Sequence, residues 1–268
     1  DLMGLMDIDT LNQGFKICKS IKDDVIFYGE GWNMGIELPF EKKACIENAD
    51  KMPGIGFFND LYRDILRGGN FHDNITSKGF VGGNFDNNSY LEYLFKGCTI
   101  DNPIKHRFLD YNQSLNYVEC HDNNTLYDKL TFSNGNEDKT TLLKRVEFAN
   151  KIVILSFGIG FIHMGQEIGL SKSGLDNTYN VLKVNNMNWK LVDERFDMVE
   201  RLASIIFFKQ KMINYFQNSK CNKIPELFKI EYWNNNMVAF FADSEEKIPP
   251  YQKIVILVNQ TLEKKTYE

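Results

Sequence analysis

Residues 55–66 read Ile-Gly-Phe-Phe-Asn-Asp-Leu-Tyr-Arg-Asp-Ile-Leu, and this stretch decides the predicted fold. Residues 55–58 have the length and composition of a buried strand, and residues 61–66 have the apolar spacing of a short helix. A strand followed directly by a helix is the unit from which parallel sheets are built. The stretch therefore predicts a βα unit.

The same alternation continues on both sides of this unit. Further strands are predicted at residues 25–28, 115–119 and 158–162. Helices are predicted at residues 7–21, which Asp7 can cap, and around residues 142–153 and 199–213, where apolar residues recur at helical spacing. Residues 68–113 are rich in glycine and asparagine and are expected to form loops over one face of a barrel. The predicted fold class is α/β with a parallel sheet.

The pattern changes after about residue 218. Residues 228–233, 237–242 and 254–258 are strand-like pieces that Asn234-Asn235-Asn236 and Pro249-Pro250 interrupt. We therefore predict two domains, an α/β domain over residues 1–218 and an antiparallel β domain over residues 219–268.

The composition excludes several kinds of partner. The chain has 268 residues, with 31 Lys and Arg against 36 Asp and Glu, and a net charge of −5. This charge does not provide the basic surface that nucleic acid requires, and no apolar run is long enough to span a membrane. Five cysteines occur without a Cys-x-x-Cys pair, so neither a disulfide framework nor a zinc site is predicted.

Acidic residues follow three of the predicted strands. They are Glu30, Asp60 and Asp122. In a (β/α) barrel, functional groups gather at the carboxyl ends of the strands. An acid in this position is also a common helix cap, so each of the three taken alone is weak evidence for a site.

Six short segments are more informative together, in their order along the chain, than any one of them alone. They are Asp-Leu-Met-Gly at 1–4, Tyr-Gly-Glu-Gly-Trp at 28–32, Met-Pro-Gly-Ile-Gly-Phe-Phe-Asn-Asp at 52–60, Tyr-Val-Glu-Cys-His-Asp-Asn at 117–123, His-Met-Gly-Gln-Glu at 163–167 and Asn-Thr-Tyr-Asn at 177–180. In this order they resemble type I pullulanases of the α-amylase superfamily. The resemblance implies the C-terminal half of a (β/α)8 TIM barrel, about strands four to eight, followed by the start of a C-terminal β domain.

The resemblance also implies a role for individual residues. Asp1 matches the nucleophile, Glu30 the general acid/base, and Asp122 the carboxylate that holds sugar hydroxyls in the transition state. The positions that match sugar contacts are His121, Trp32, Leu2 and Asn180. The implied activity is hydrolysis, with retention, of α-1,6-glucosidic branch linkages in pullulan, amylopectin or glycogen-derived dextrins.

The sequence departs from the family pattern at two places. The chain starts at the residue that matches the nucleophile, so the barrel is expected to be partial and the isolated chain inactive. Lys183 and Asn188 stand in a segment that usually carries an aspartate in the family. No cofactor is expected, and although the superfamily leaves room for a calcium ion, the sequence nominates no ligands for it.

Alternatives from different classes stay open. Another enzyme of the superfamily, such as an isoamylase, a glycogen-debranching or an α-1,4-acting enzyme, would share the three carboxyls. An inactive glucan-binding remnant would share the sugar contacts. An α/β protein whose acids are only helix caps would not explain the order of the motifs.

Overall fold

The computed structural model describes residues 1–69, 74–217, 224–233, 237–243 and 253–266. Its α-helices are α1 (Ile8–Ile21), α2 (Asp60–Arg67), α3 (Leu91–Phe95), α4 (Leu126–Ser133), α5 (Lys139–Leu155), α6 (Trp189–Glu194) and α7 (Phe196–Gln217). Its strands are β1 (Phe27–Gly29), β2 (Ile55–Phe58), β3 (Ser114–Asn116), β4 (Ile159–Gly160), β5 (Phe228–Trp233), β6 (Met237–Asp243) and β7 (Lys253–Asn259). Among the described residues, these strands form two sheets.

The first sheet is parallel, as the alternation of strands and helices predicts. Its order is β1-β2-β3-β4, with Phe27 opposite Ile55, Phe57 opposite Ser114, and Leu115 opposite Ile159. Helices α2 and α3 connect β2 to β3, and α4 and α5 connect β3 to β4. The carboxyl ends of all four strands therefore meet at one edge of the sheet.

Three predicted strands have the wrong bounds. The first begins at Phe27 rather than at residue 25, and the last is confined to Ile159–Gly160. The third ends at Asn116, so Tyr117, Val118 and Glu119 lie beyond it. The apolar run at residues 115–119 is buried, but only its first part pairs with a neighbouring strand, and burial alone does not distinguish strand from loop.

The two faces of the parallel sheet have different surroundings. Tyr28, Phe58 and Leu115 share one face because side chains alternate along a strand. Phe58 packs on this face edge to face against Tyr117 and Phe161, with ring centroids 5.0 and 5.2 Å apart. Phe57 points to the opposite face and belongs to the main core beneath the helices.

Side-chain caps explain where several helices begin. Asp7 caps α1, as predicted, by accepting from the Thr10 amide at 2.8 Å. Thr125 caps α4 and Asp138 caps α5 in the same manner. Each cap gives an acceptor to an N–H that has no partner inside its helix. The predicted core face of α5, residues 142–153, is buried.

Residues 68–113 are not only loop. They contain helix α3, and Tyr93, Leu94 and Phe95 are buried in the main core. The prediction that residues 68–113 form loops is wrong for this part of the segment, which is helical and whose apolar residues pack inward. The sequence did not indicate this helix, because the segment is rich in glycine and asparagine and the five residues of α3 are too few to show helical periodicity.

The second sheet is antiparallel, in the order β5-β6-β7. The ring of Phe228 on β5 lies 5.3 Å from Phe95 at the end of α3 and 5.4 Å from Phe157, which precedes β4, so β5 packs against the main core. The domain boundary at residues 218/219 stays a prediction, since it falls outside the described residues.

The cysteines and the helices add two observations. Cys18, Cys45, Cys98 and Cys120 are free, and Cys221 lies outside the described residues. In the part of the chain that the structure describes, no helix combines the length and the apolar character that crossing a membrane requires.

Candidate active site

Glu30 follows β1 directly and lies at the carboxyl edge of the parallel sheet. It shares a face with Tyr28 because the two residues are two positions apart. Its side chain is buried, with 5% of the residue exposed. Gly31 permits this position, since a Cβ there would lie 2.5 Å from the Phe57 ring. The sequence thus places a carboxyl in a tightly packed part of the edge.

Asp1 reaches the same edge through the turn that follows it. The amide of Gly4 donates to the Glu30 carbonyl at 2.9 Å. A Cβ on Gly4 would lie 1.9 Å from the Trp32 carbonyl oxygen, so only glycine allows this approach. Leu2, predicted to contact sugar, is about half exposed and adopts a left-handed conformation with φ of 57°. The turn residues 3–5 therefore dock the first residues of the chain onto the backbone after β1.

His121 and Asp122 come from the loop between β3 and α4. The His121 Nε2 lies 3.8 Å from a carboxylate oxygen of Glu30 and 3.5 Å from one of Asp122. One oxygen each of Asp1 and Glu30 and one ring nitrogen of His121 lie within 4.8 Å of one another. Residues that are 120 positions apart in the sequence thus meet at one edge of the sheet.

The walls of this group are aromatic. Trp32 is half-buried and packs against the cluster of Phe58, Leu115, Tyr117 and Cys120. The ring of Tyr179, which is 62% exposed, lies 6.3 Å from that of His121 in an edge-to-face arrangement. An exposed ring beside charged groups is a suitable surface for a sugar ring.

Tyr179 is absent from the sequence-predicted site, although it lies in the quoted segment 177–180. Its neighbour Asn180, which was predicted to bind substrate, is exposed. The signal that could have identified Tyr179 is its place beside Asn180. Its contact with His121 spans 58 residues of sequence and needed the structure.

Cys120 precedes His121, and this pair could suggest a thiolate nucleophile. Burial raises the pKa of the Cys120 thiol, which keeps the sulfur protonated and a poor nucleophile. Its Sγ lies 4.0 Å from the Asp122 carbonyl oxygen. The side chain acts as a packing group in the cluster beneath the site.

Other polar strand-end residues have structural partners. Asn59 caps α2 by accepting from the Tyr62 amide at 3.2 Å, and Asp60 pairs with Arg107 at 2.5 Å. After β2 the cap is therefore Asn59, and the acid Asp60 is held in an ion pair, whereas Glu30 and Asp122 lie with His121. Asn188 caps α6 by accepting from the Leu191 amide at 3.1 Å, and Lys183 is exposed.

The group of Asp1, Glu30 and His121 also has the chemistry of a cation site. Carboxylates and an imidazole are common ligands of divalent metals. Among the described residues, these three offer ligand atoms close enough together to hold one ion. Calcium prefers several oxygen ligands, and this group offers carboxylates from only two residues together with an imidazole, so its composition is not that of a usual calcium site.

Comparison with known proteins identifies relatives in sequence and in structure, while no family model matches the chain. The pullulanase of Bacillus subtilis (strain 168) is 35% identical over 209 residues, which cover 76% of this chain and 29% of that protein. The pullulanase of Anoxybacillus sp. LM18-11, solved in complex with maltotetraose, has a TM-score of 0.86 and 31% identity, over 97% of this chain and 37% of that one. That of Paenibacillus barengoltzii, solved with maltohexaose and α-cyclodextrin, has a TM-score of 0.88 and 32% identity, over 97% and 40%. The chain thus spans less than half the length of each relative.

Proposed function

The chain is related to the pullulanases, as its motifs indicate, and on this premise we propose that it carries the catalytic carboxyls of a glycoside hydrolase acting on α-1,6-glucosidic bonds. The proposed substrates are pullulan, amylopectin and glycogen-derived dextrins. The observation that carries the proposal is the meeting of Asp1, Glu30 and His121 within 4.8 Å. Relatives solved with maltooligosaccharides support the substrate class.

The proposed mechanism is retaining hydrolysis. Retaining glycosidases hold their two carboxyl groups about 5–5.5 Å apart, and inverting ones about 6.5–9.5 Å apart. The short distance between Asp1 and Glu30 oxygens supports the retaining geometry, because it leaves no space for a water between the carboxylate and the sugar. Asp1 attacks the anomeric carbon and forms a covalent glycosyl ester.

Glu30 is the proton donor of this scheme. It is the most buried of the three carboxyls, an environment that suits a general acid. It protonates the oxygen of the leaving glucosyl unit as the bond to the anomeric carbon breaks. It then takes a proton from the water that hydrolyses the ester, which restores both carboxyls.

Asp122 and His121 hold the sugar at the reacting centre. As positive charge develops on the ring, hydrogen bonds from sugar hydroxyls to Asp122 become stronger, and such interactions lower the barrier. Trp32 supplies an apolar surface on the acceptor side, while Leu2 and Asn180 complete the proposed contacts. Every step uses side chains of this chain and needs no cofactor.

The fold in which this site works is proposed to be a (β/α)8 barrel. The four parallel strands, their intervening helices and the similarity to pullulanase structures over 97% of this chain support this architecture. In such a barrel the strands correspond to the fifth to eighth, and Asp1 lies at the end of the fourth. Residues 219–268 are proposed to start a separate β domain.

Glu30→Gln tests the proposal in the full-length polypeptide that the gene encodes. The amide keeps the shape of the side chain but cannot donate and accept the proton, so kcat on pullulan should fall by about a thousandfold or more while glucan binding persists. Glu200→Gln, which changes an exposed carboxylate on α7, is the matched control and should be unaffected. An unchanged kcat in Glu30→Gln would show that the acid/base assignment is wrong.

The products formed from pullulan separate the enzymatic alternatives. Release of maltotriose corresponds to α-1,6 cleavage, whereas panose corresponds to α-1,4 cleavage and would favour another member of the superfamily. Binding of glucan without any product from the full-length polypeptide would favour the glucan-binding alternative.

A further inference from the structure

Glu119 is a buried carboxylate that the proposed chemistry does not use. It is 2% exposed and lies two residues before His121. One of its oxygens lies 2.8 Å from the Nδ1 of His163. The other accepts from the Leu126 amide at 2.6 Å. Both oxygens are therefore engaged by the protein, one locally and one across the site.

The local bond closes the 119–126 loop, which carries His121 and Asp122. Leu126 is the first residue of α4, where N–H groups lack partners inside the helix. A carboxylate at this end is stabilised by these N–H groups and by the helix dipole. The two ends of the loop are thereby held together by a charge-assisted hydrogen bond.

Arg67, on α2, holds the same loop from a second side. Its guanidinium is 1% exposed and donates to the carbonyl oxygens of Val118 at 2.6 Å and Asn124 at 3.2 Å. Burial lowers the pKa of Arg67 to about 10, so the group stays charged at neutral pH. Arg67 thus links Val118, which precedes the loop, to Asn124, which lies near the end of the loop.

His163 connects the loop to the segment that follows β4. Its amide donates to the side chain of Gln166 at 3.3 Å, and Gln166 in turn donates to Asn150 on α5 at 2.6 Å. The 119–126 loop makes two further bonds to this segment, from the Asn123 amide to Asn177 and from the Asn124 side chain to the Gly174 carbonyl, each at 2.9 Å. The loop is therefore attached to the ends of two neighbouring strands.

We infer that Glu119 is a positioning residue, which sets His121 and Asp122 against Glu30 through a clamp that consists of Arg67, Glu119 and His163. The inference rests on the proposed function. Isolated buried charges are costly, but here a carboxylate, an imidazole and a guanidinium surround one short loop, and their hydrogen bonds end on that loop or its anchors. Without the clamp, the loop backbone would be free to move the imidazole relative to the carboxyls.

The test compares Glu119→Ala with Glu119→Gln in the full-length polypeptide. Alanine removes both bonds, so kcat on pullulan should fall by about tenfold to a hundredfold, while KM for pullulan changes little. Glutamine keeps an oxygen for the Leu126 amide, and most of the wild-type kcat should remain. A rise in KM with unchanged kcat, or an equal loss in both variants, would overturn the inference.

Glu137→Ala is the matched control. Glu137 is half-buried and also makes an ion pair, at 2.6 Å with Arg145, but this pair lies at the start of α5 and not beside the 119–126 loop. It should lose stability and keep kcat per folded molecule. If Glu137→Ala and Glu119→Ala reduce kcat by the same factor, Glu119 has only a structural role and the inference is wrong.

Hydrogen exchange provides a readout that does not depend on activity. Amide exchange in residues 119–126 should accelerate in Glu119→Ala and stay unchanged in Glu137→Ala. Exchange that is equal in both variants would contradict the clamp. If the wild type hydrolyses no glucan, the proposed function fails, and this measurement still decides whether Glu119 holds the loop.

His163→Ala keeps the test decisive if Glu119→Ala does not fold. It removes only the bond across the site, so kcat should fall and exchange in the loop should accelerate, both less than in Glu119→Ala. If kcat and exchange in the loop are both unchanged in His163→Ala, the bond between His163 and Glu119 does not hold the loop, and the inference that His163 belongs to the clamp is wrong.

Discussion

At the scale of single residues, the site depends on how close an imidazole lies to the carboxylates around it. His121 stands between Glu30 and Asp122, with its Nε2 within 3.8 Å of both carboxylates. An imidazole in this place can donate to a carboxylate or to a sugar hydroxyl, depending on which is present. Under the proposed function, this side chain can therefore exchange a carboxylate partner for a sugar hydroxyl.

Replacing His121 by Gln should lower kcat/KM on pullulan by about a hundredfold, because preorganised donors at the reacting centre contribute on this scale. Steady-state kinetics measures the effect. The control is His106→Gln, since His106 pairs with Asp101 outside the proposed site. Equal activity of the His121 and His106 variants would contradict a role at the reacting centre.

At the scale of elements, turns and caps decide which groups can meet. The turn at Met3–Leu5 and the residues after β1 approach so closely that Gly4 has no room for a side chain. Helix α6 begins at a cap, Asn188, that the sequence alone presents as a departure from a family pattern. In the structure, the side-chain oxygen of Asn188 accepts a hydrogen bond from the Leu191 amide in the first turn of α6.

Gly4→Ala should reduce kcat/KM by about a hundredfold, because the added Cβ forces Asp1 away from Glu30 and misplacement of about 1 Å has effects of this size. Gly14→Ala is the control. Gly14 lies within α1 and a Cβ there meets no atom within 4 Å, so this variant should keep its activity and gain about 0.5–1 kcal/mol in the free energy of unfolding. Wild-type kinetics in Gly4→Ala would show that the turn does not place Asp1.

Asn188→Ala should lower the free energy of unfolding by about 1 kcal/mol, the usual effect of losing an N-cap. Asn188→Asp should retain the stability, because a carboxylate caps a helix equally well. Urea denaturation measures both, and binding of maltotetraose should be the same in the two variants. Loss of binding in Asn188→Ala at unchanged stability would instead assign this residue to the substrate.

At the scale of the whole molecule, a buried lysine joins α7 to the end of α5. Lys209 donates to the carbonyl oxygens of Leu155 at 2.8 Å and Ser156 at 2.9 Å, and its Nζ lies 4.3 Å from the centre of the Phe157 ring. Burial lowers the pKa of Lys209 from its ordinary value of 10.5 to about 7. Its neutral form can still donate to both carbonyls, since an amine keeps two N–H groups.

Lys209 should make the stability of the fold depend on pH. Above the folded pKa and below the unfolded one, the unfolded chain binds a proton that the folded chain does not, so the free energy of unfolding rises with pH. Relative to Lys209→Met, wild-type stability should increase by about 2 kcal/mol between about pH 7 and about pH 9, as measured by urea denaturation. A difference between the two proteins that does not vary with pH would contradict the lowered pKa.

The sequence by itself determined the alternation of strands and helices, the caps of α1, and the motif words in which Glu30, His121 and Asp122 stand. These features are local, because periodicity, turn residues and short motifs depend on neighbours along the chain. Only the tertiary structure decided the strand ends at Gly29 and Asn116, since pairing with another strand sets them. It also decided which strand-end acids meet: Glu30 lies with Asp1 and His121, whereas Asp60 pairs with Arg107. Those distances result from packing between segments up to 120 residues apart, which no local pattern records.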